Sequence, residues 1–575
     1  MKDVMNPAAT LRPPALEGGD AAPLLEVERH DDVLVVLMDR PDSSVNLIDE
    51  AWLRQMTDAV ELAERERPRG FVLASAKPGN FIAGADVGLI ASIEDAGEAA
   101  RRAAQGQELL SRIEDLPCTT VAAINGACLG GGLETALAFD YRVCVDDDSV
   151  VLGLPEVRLG ILPGFGGTWR LPRRIGITAA LPLVLTGRNV RPRKARRLGL
   201  VDRLTAVEYL GRVALAVAAG DKPRRPRRPS GQRLTDVFLG RTPPGRKLLR
   251  RMTMKSVDRE TGGHYPSPPE IVERVILGYG ARRERAMAEE AAAFGRVVTT
   301  PVARNLLFLF QGNEGLARHP GTGRVAPTDR ESTRAAVIGA GTMGGGIAGA
   351  LAQRGLSVRL KDVALESLRL GLEGAAAPLN RRVARRALKP RERDAILARI
   401  SPTLEDTGYD HVDLVIEAVP EVLELKRSVF RMLEEHVPDR AYLATNTSSL
   451  PISEIANGLE SPERLVGIHF FNPVDRMPLV EVIPGERTRR AVVNRAVGLV
   501  RRLKKTPLVV ADRPGFLVNR LLLPYLNEAA LAVDDGWSVE AIDGALLRFG
   551  MPMGPLRVLD EVGIDVAAKV SGVMQ

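Results

Sequence analysis

Val337-Ile338-Gly339-Ala340-Gly341-Thr342-Met343-Gly344 follows the apolar run that opens at Arg334 and leads directly into a helical stretch. The residues ahead of Gly339 suit a buried strand. The three glycines let the chain turn tightly and bring backbone close to a ligand, and the helix behind them begins with amides that have no intrahelical acceptor. An acid, Asp362, follows 21 residues after Gly341, at the end of the next strand-like run, Ser357–Lys361. A lone GxGxxG is a weak signal; a strand before it, a helix after it and an acid at this distance make it a strong one. The segment is read as a dinucleotide cradle, with Gly339, Gly341, Thr342, Met343 and Gly344 around a pyrophosphate seated on the helix N-terminus. Asp362 then accepts the ribose hydroxyls and repels a 2′-phosphate, so NAD is expected rather than NADP, with only the neighbouring Lys361 arguing the other way.

Outward from this segment, strand and helix patterns alternate in both directions. Strands are expected at Leu414–Val419, Ala441–Thr445 and Leu465–Phe470, and earlier at Val33–Met38, Gly70–Ala74, Thr120–Ile124 and Tyr141–Val145. Helices are expected at Trp52–Arg65, Glu98–Leu116 and through Pro269–Phe310, and only helical periodicity remains after Pro514 (Leu521–Val533, Ser538–Phe549, Leu556–Val573). The alternation makes both halves α/β. No repeat of 20–50 residues is strong enough to indicate a solenoid.

Composition narrows the classes. A chain of 575 residues, 45% hydrophobic and 26% charged, has material for several cores, about four domains by length. No run of 18 apolar residues suggests a membrane span. Residues 1–22 hold several prolines and no apolar segment; they are read as a disordered tail, not a secretory signal. Three cysteines (Cys118, Cys128, Cys144) build no disulfide framework, no CxxC pair indicates a metal, and a cytoplasmic setting is expected. The net charge of +7 comes from one place: Lys222–Lys255 carries twelve Lys or Arg against one Asp. Its prolines mark the first part of that stretch as a stiff solvated connector, and without interleaved aromatics it is not a nucleic-acid surface.

Three places carry candidate chemistry. In the first half, Phe81-Ile82-Ala83-Gly84-Ala85-Asp86 and Asn125-Gly126-Ala127-Cys128-Leu129-Gly130-Gly131-Gly132-Leu133-Glu134 are glycine-rich, and the second enters a helix whose dipole favours a developing negative oxygen. Glu134 lies just inside that helix, and a second acid, Glu156, lies in the Pro- and Gly-flanked turn Gly153–Gly164. In the second half, His469 stands at a strand end in Gly467–Pro473, with Glu481 twelve residues on. A histidine base steadied by a carboxylate suits alcohol oxidation near neutral pH. The other histidines (His30, His264, His319, His411, His436) have loop-like or charged surroundings and are read as surface residues.

The first-half strings, with Gly160-Ile161-Leu162-Pro163-Gly164-Phe165-Gly166-Gly167-Thr168 and Gly199-Leu200-Val201-Asp202, resemble the crotonase (enoyl-CoA hydratase/isomerase) family over Leu24–Leu204. The resemblance implies a ββα superhelix, an oxyanion hole made by the amides of Ala83 and Gly131, and Glu134 and Glu156 as the pair that activates water and exchanges a proton at C2. With both glutamates present, hydration of a trans-2-enoyl-CoA is expected, with double-bond isomerisation as a side activity. From Ala335 to Gly563 the chain is similar to 3-hydroxyacyl-CoA dehydrogenases through Asn446-Thr447-Ser448-Ser449-Leu450, His469–Pro473, Glu481 and Pro514-Gly515-Phe516-Leu517-Val518-Asn519-Arg520. This implies His469 as base, Glu481 as its orienting partner, Ser448 and Asn519 on the substrate oxygen, and Glu421, Lys426 and Asn446 beside the NAD cofactor.

Both resemblances on one chain, with Thr261–Pro268 and Glu290–Gly295 similar to the connecting helices, point to the multifunctional fatty-acid β-oxidation α-subunit family. The expected organisation is a crotonase-like domain over 23–206, a basic linker with linker helices over 207–332, a Rossmann-type NAD domain over 333–512 and a short all-α C-terminal domain over 513–575. Acyl-CoA thioesters are the implied substrates, and some members of the family pair with a separate thiolase subunit. The helical end is shorter than the family's, which leads us to expect a shortened chain with a weak dehydrogenase half. The alternatives are a hydratase-only chain and a non-catalytic CoA- and NAD-binding scaffold.

Overall fold

The computed structural model describes residues 23–41, 43–226, 230–318 and 332–564. The expected tail, His319 and the end of the last periodic stretch lie outside the described residues. The chain divides into two compact units between Gln311 and Gly312.

In the first unit a six-stranded sheet runs in the order Leu25–His30, Val33–Met38, Gly70–Ser75, Thr119–Ile124, Tyr141–Val145, Arg203–Thr205. The first pair is antiparallel and the others are parallel. Val33–Met38 and Gly70–Ser75 are buried along their whole length, as uninterrupted apolar runs covered on both faces must be. A second, three-stranded parallel sheet is made of Gly79–Ile82, Gly126–Leu129 and Leu152–Gly153. Three large-sheet strands, Gly70–Ser75, Thr119–Ile124 and Tyr141–Val145, are each followed by a small-sheet strand and then a helix or a turn, a structural repeat without a matching sequence repeat. The small-sheet strands are two to four residues long and glycine-bearing, which hides them from a periodicity reading. Helix Glu50–Glu66 shows why a helix forms here: Asp49 caps it by accepting from the Trp52 amide (2.8 Å). Trp52, Met56, Val60 and Ala63 then fall on one buried stripe, and Arg67 ends it in the left-handed region.

The basic stretch is a correction. The connector expected through its first part gives way to helix Ser230–Arg241, and Thr242 caps a second helix, Pro243–Thr261, with prolines in its first turn. Asp236 is buried and accepts from the amide (3.1 Å) and hydroxyl (2.7 Å) of Thr178 in the crotonase-like part. The single helical stretch expected over Pro269–Phe310 is three helices, Ser267–Gly278, Arg283–Val298 and Pro301–Arg318, interrupted at Gly278-Tyr279-Gly280 and before Pro301. Ile271, Val272 and Val275 of the first, and Ala291, Phe294, Val297 and Val298 of the second, join the same hydrophobic core as the six-stranded sheet.

The second unit is an eight-stranded sheet in the order Ile400–Thr403, Ser357–Lys361, Arg334–Ile338, Leu414–Glu417, Tyr442–Thr445, Leu465–Phe470, Leu479–Pro484, Thr506–Val509. It is parallel except where Leu465–Phe470 meets Leu479–Pro484. The strand expected to reach Val419 stops at Glu417, whose buried carboxylate accepts from the Val419 amide, the Lys426 ammonium and the Thr445 hydroxyl. Helices Val518–Asp534, Val539–Phe549 and Pro555–Val562 follow the sheet. Of the five histidines read as surface residues, His264, His411 and His436 are exposed, and half-buried His30 stands 3.1 Å from Glu28 on an edge strand.

One ion pair holds the end of the first sheet. Arg142 and Asp202 are 1% and 0% exposed and 2.8 Å apart. The guanidinium also donates to the carbonyls of Ala136, Phe139, Asp140 and Leu200, and Asp202 takes Arg174 as well. Asp202→Ala strands a buried cation, which costs about 3–5 kcal/mol. Urea unfolding followed by tryptophan fluorescence, which the first unit's Trp52 and Trp169 report, is expected to show that loss; a change under about 0.5 kcal/mol would contradict it.

Candidate active sites

The first site assembles where the two sheets of the first unit meet the loop 163–168. Glu134, in helix Gly131–Ala138, is buried; its Oε1 accepts from the amides of Phe165 (2.8 Å) and Gly167 (2.7 Å). Glu156 opens the 3₁₀ turn Glu156–Leu159, and its Oε2 is buried with no hydrogen-bond partner among the described residues. The two acids are tuned differently. Burial, then the charges of Glu156 and Glu290, push Glu134 well above the usual carboxylate range, while its two amide donors pull the other way. Burial pushes the Glu156 carboxyl up to about 8, its own backbone amide pulling the other way and the Glu290 charge adding to the rise. Burial thus raises both acids, and Glu134 is the one whose rise two amides of the loop 163–168 oppose.

The glycine-rich loops come to the same place. A side-chain carbon added at Gly130, whose φ is +54°, would lie 3.2 Å from Glu156 Oε1 and 3.7 Å from Gly84 Cα. The Gly131 amide has no partner among the described residues. Ala83 differs from its expected role: its amide already donates to the Asn46 carbonyl at 2.9 Å. Two residues on, the Ile48 amide donates to the Gly84 carbonyl and the Asp86 amide to the Ile48 carbonyl. That parallel bridge turns the Ala85 N–H to the opposite side, where none of the described residues takes it.

A third acid, Glu290, was not among the expected site residues. It lies on helix Arg283–Val298, is fully buried, and accepts from the amides of Gly166 (2.5 Å) and Thr168 (2.9 Å), the Thr168 hydroxyl and Gln107 Nε2 (3.2 Å). Its only sequence signal is an acid in an otherwise apolar stretch, Glu290-Ala291-Ala292-Ala293-Phe294-Gly295.

In the second unit, His469 and Glu481 face each other across the antiparallel pair, with Nδ1 2.7 Å from Oε2, and both are buried. Glu481 Oε1 accepts from the amides of Leu517 (3.0 Å) and Val518 (2.9 Å), so the same carboxylate orients the imidazole and holds the start of the helix that carries Asn519. Asn519 Nδ2 donates to the Ser448 carbonyl (2.8 Å), and Asn446 Oδ1 accepts from the Phe470 amide (3.0 Å). His469, Glu481, Ser448, Asn519 and Asn446 are therefore tied into one hydrogen-bonded neighbourhood, with Phe471 and Phe516 beside the imidazole.

Glu421 and Lys426, expected beside the cofactor, are joined to each other and to the loop 446–449. Glu421 Oε1 accepts from the Ser448 and Ser449 amides (2.9 and 3.1 Å) and from the hydroxyls of Thr447 and Ser449. Lys426, buried to 1%, binds Glu417 (2.8 Å) and Glu421 (3.2 Å). They brace the loop 446–449, with the Glu421 side chain about one-third exposed. The Lys426 ammonium and the Thr447 hydroxyl hold the Glu421 carboxyl below its usual range against the opposing effect of burial.

The glycine loop fits a dinucleotide. Gly339 has φ +97°, and a Cβ there would meet the Ala418 carbonyl at 2.5 Å; one at Gly344 would lie 1.8 Å from the Gly339 carbonyl. One at Gly341 would meet nothing within 4 Å. The amides of Gly341, Thr342 and Met343 have no partner among the described residues, so an open, donor-lined cradle faces outward from the start of helix Thr342–Gln353. Asp362 accepts from the amides of Ala340 (2.7 Å), Val363 (2.7 Å) and Ala364 (3.1 Å), which places it beside the cradle. Lys361 is paired with Asp406 at 2.9 Å, so its charge is not free to attract a 2′-phosphate.

Family models match in chain order. Enoyl-CoA hydratase/isomerase covers residues 28–221, the 3-hydroxyacyl-CoA dehydrogenase NAD binding domain covers 334–513, and the 3-hydroxyacyl-CoA dehydrogenase C-terminal domain covers 515–575. Among solved structures, FadB2 of M. tuberculosis is 38% identical, over 42% of this chain and 87% of that one, with a TM-score of 0.41. The 3-hydroxybutyryl-CoA dehydrogenase of Escherichia coli K12 is 41% identical, over 42% of this chain and 52% of that one, with a TM-score of 0.41. The (S)-3-hydroxybutyryl-CoA dehydrogenase of Ralstonia eutropha is 35% identical, over 42% and 87%, with a TM-score of 0.40.

The two glycines that do different work give a separable test. Gly344→Ala forces the loop apart and is expected to destabilise the second unit by about 1–3 kcal/mol. Gly341→Ala, at φ −64° with open space around it, is expected to leave stability within about 0.5 kcal/mol and to weaken NAD binding about tenfold. Thermal melts and fluorescence titration with NADH check both; a Gly341→Ala variant with parent affinity would remove that residue from the cradle.

Proposed function

We propose the following working scheme for a chain that belongs, in its first half, to the enoyl-CoA hydratase/isomerase family and, in its second, to the 3-hydroxyacyl-CoA dehydrogenase family. It is a bifunctional fatty-acid β-oxidation enzyme: trans-2-enoyl-CoA is hydrated to 3-hydroxyacyl-CoA, which is then oxidised with NAD to 3-ketoacyl-CoA. The division of labour between Glu134 and Glu156 carries the first step. The thioester oxygen is held by the amides of Gly131 and Ala85, the latter taking the place expected for Ala83. Glu134 accepts a proton from the water that attacks C3, Glu156 delivers its proton to C2, and negative charge passing through the enolate is borne at the two amides. The elements of water are added, and the two carboxyls then exchange one proton with solvent to reset.

In the second site His469 Nε2 accepts the proton of the 3-hydroxyl, and Glu481, fixed by two amides, steadies the imidazolium that forms. Ser448 and Asn519 hold the substrate oxygen. Bound NAD supplies the acceptor for the C3 hydride. Gly339, Gly341, Thr342, Met343, Gly344, Asp362 and Asn446 would hold the dinucleotide; Glu421 and Lys426 brace the turn 447–449 next to Asn446. The 3-ketoacyl-CoA product is the substrate class of a thiolase, which makes a separate thiolase the partner this reading calls for. Three free thiols suit a cytoplasmic setting, and among the described residues no helix is long and apolar enough to cross a membrane.

Two measurements test the scheme. Glu134→Gln is expected to cut crotonyl-CoA hydration by about two to four orders of magnitude, while oxidation of added 3-hydroxybutyryl-CoA continues at the parent rate. Parallel loss of both activities would sink the idea of separate sites. The pH profile of hydration is the second. Glu156 acts in its protonated form, so the rate is present below its raised pKa and falls as pH climbs through about 8. A rate still rising through pH 9 would assign the proton delivery elsewhere.

A further inference from the structure

The helix that carries Glu290 lies beyond residue 221, where the enoyl-CoA hydratase/isomerase match ends, yet its acid is buried against the hydration site. Four successive amides, of residues 165–168, stand at the entry to helix Gly167–Ile175, where no intrahelical acceptor exists. They are shared out alternately. Phe165 and Gly167 donate to Glu134; Gly166 and Thr168 donate to Glu290. Gly166, at φ +98°, makes the alternation feasible by turning its own N–H away from its neighbours'. Gln107 ties the arrangement to helix Ala96–Glu114 by donating to both Glu290 Oε1 (3.2 Å) and the Gly164 carbonyl (3.0 Å).

We propose that Glu290 is a positioning residue for hydration: by holding the even-numbered amides of 165–168 it aims the odd-numbered ones at Glu134 and sets the electrostatic field in which Glu134 and Glu156 exchange protons. The proposal rests on the hydratase reading of this site and extends it to a residue outside the matched domain. Both Glu290 oxygens face donors, an arrangement that fits the ionised group. The charged groups around it are Glu134 from helix Gly131–Ala138, Glu156 from its 3₁₀ turn, and Arg170 from helix Gly167–Ile175. Burial raises the Glu290 carboxyl, against the pull of the Thr168 and Gly166 donors and of Arg170, which is itself paired with Glu114 at 3.0 Å. No cation intervenes between Glu290 and the two reacting acids among these groups, so its negative charge opposes ionisation of both.

The test uses the full chain, crotonyl-CoA and a pH series. In Glu290→Gln the side chain cannot accept at both ends, so the maximal rate falls about 10- to 100-fold. Loss of the charge lets both reacting acids ionise more readily, so both limbs of the rate profile move to lower pH by about one unit. A merely structural role lowers the rate and leaves the limbs in place. Glu290→Asp keeps the charge but shortens the reach; its rate falls at least about tenfold with the limbs unmoved. If the glutamine variant shows no cooperative melt, the aspartate variant decides alone. Unmoved limbs in a folded Glu290→Gln, or the parent rate in Glu290→Asp, overturns the proposal. Glu134→Gln, assayed in parallel, keeps the underlying reading separate. Should it hydrate at the parent rate, the hydratase scheme fails whatever Glu290 does.

Discussion

The amides of residues 165–168 open a helix and have no backbone acceptor of their own, so buried acids must come to them. Leaving even one such N–H unpaired in the interior costs about 1–3 kcal/mol. Two carboxylates from two different helices meet that demand, and the requirement is reciprocal. Glu134 and Glu290 are tolerable in an apolar interior because four directed donors face them. Hydrophobic packing brings helix Arg283–Val298 into the core of the six-stranded sheet, and the bonds from Gly166 and Thr168 to Glu290 fix its rotation. The same bonds leave Glu156 as the odd acid out, buried with an unpartnered oxygen. That contrast gives two acids of one residue type different surroundings.

The second unit obeys the same rule with another outcome. Glu481 accepts from two amides at the head of the helix after the sheet and gives its other oxygen to His469. Glu421 closes the turn 447–449, Asp362 closes the glycine loop, and Asp512 accepts from the amides of Ile452 and Ser453. In each case an acid supplied by a distant part of the chain satisfies amides at a turn or helix entry. Site loops are held in this way because they have little side-chain bulk to pack. The glycines that let a ligand approach remove the apolar contacts that would otherwise order the loop, and a carboxylate bridging two amides restores the order without filling the space.

This division explains what was legible in the sequence. Strands such as Val33–Met38 and Leu414–Glu417 open on uninterrupted apolar runs, and composition indicates them. The Gly339–Gly344 cradle follows from glycine spacing, since a close approach of backbone admits no other residue. The small-sheet strands escaped because pairs such as Leu152-Gly153 are too short for any period to register. The helix Ser230–Arg241 escaped because charge and proline outweighed the buried Asp236, whose role is fixed by Thr178, 58 residues away. Ala83 and Ala85 are indistinguishable as residue types. Which amide is free depends on a bridge to Ile48 that the sequence does not announce. Lys426 was placed toward the cofactor on resemblance, and its burial between Glu417 and Glu421 turns it inward.

Glu290 is the sharpest case, because the chain around it is read most naturally as a connecting helix. A glutamate in an Ala- and Phe-rich segment has two meanings on sequence alone: a solvated residue on an amphipathic face, or an acid that has lost its water and found donors. Helical spacing separates them only in part. Met287, Ala291, Phe294, Val297 and Val298 belong to the buried stripe, and Glu290, three residues after Met287 and four before Phe294, lies within it. The second meaning demands donors, and those lie 122 to 124 residues earlier, in a loop whose amides are free only because Gly166 adopts a positive φ. An acid buried for that reason cannot be exchanged for an apolar residue without leaving two amides unpaired, nor for a cation without facing them with like charge. The segment after the matched hydratase stretch is thereby tied by hydrogen bonds, as well as by packing, to the loop that holds Glu134.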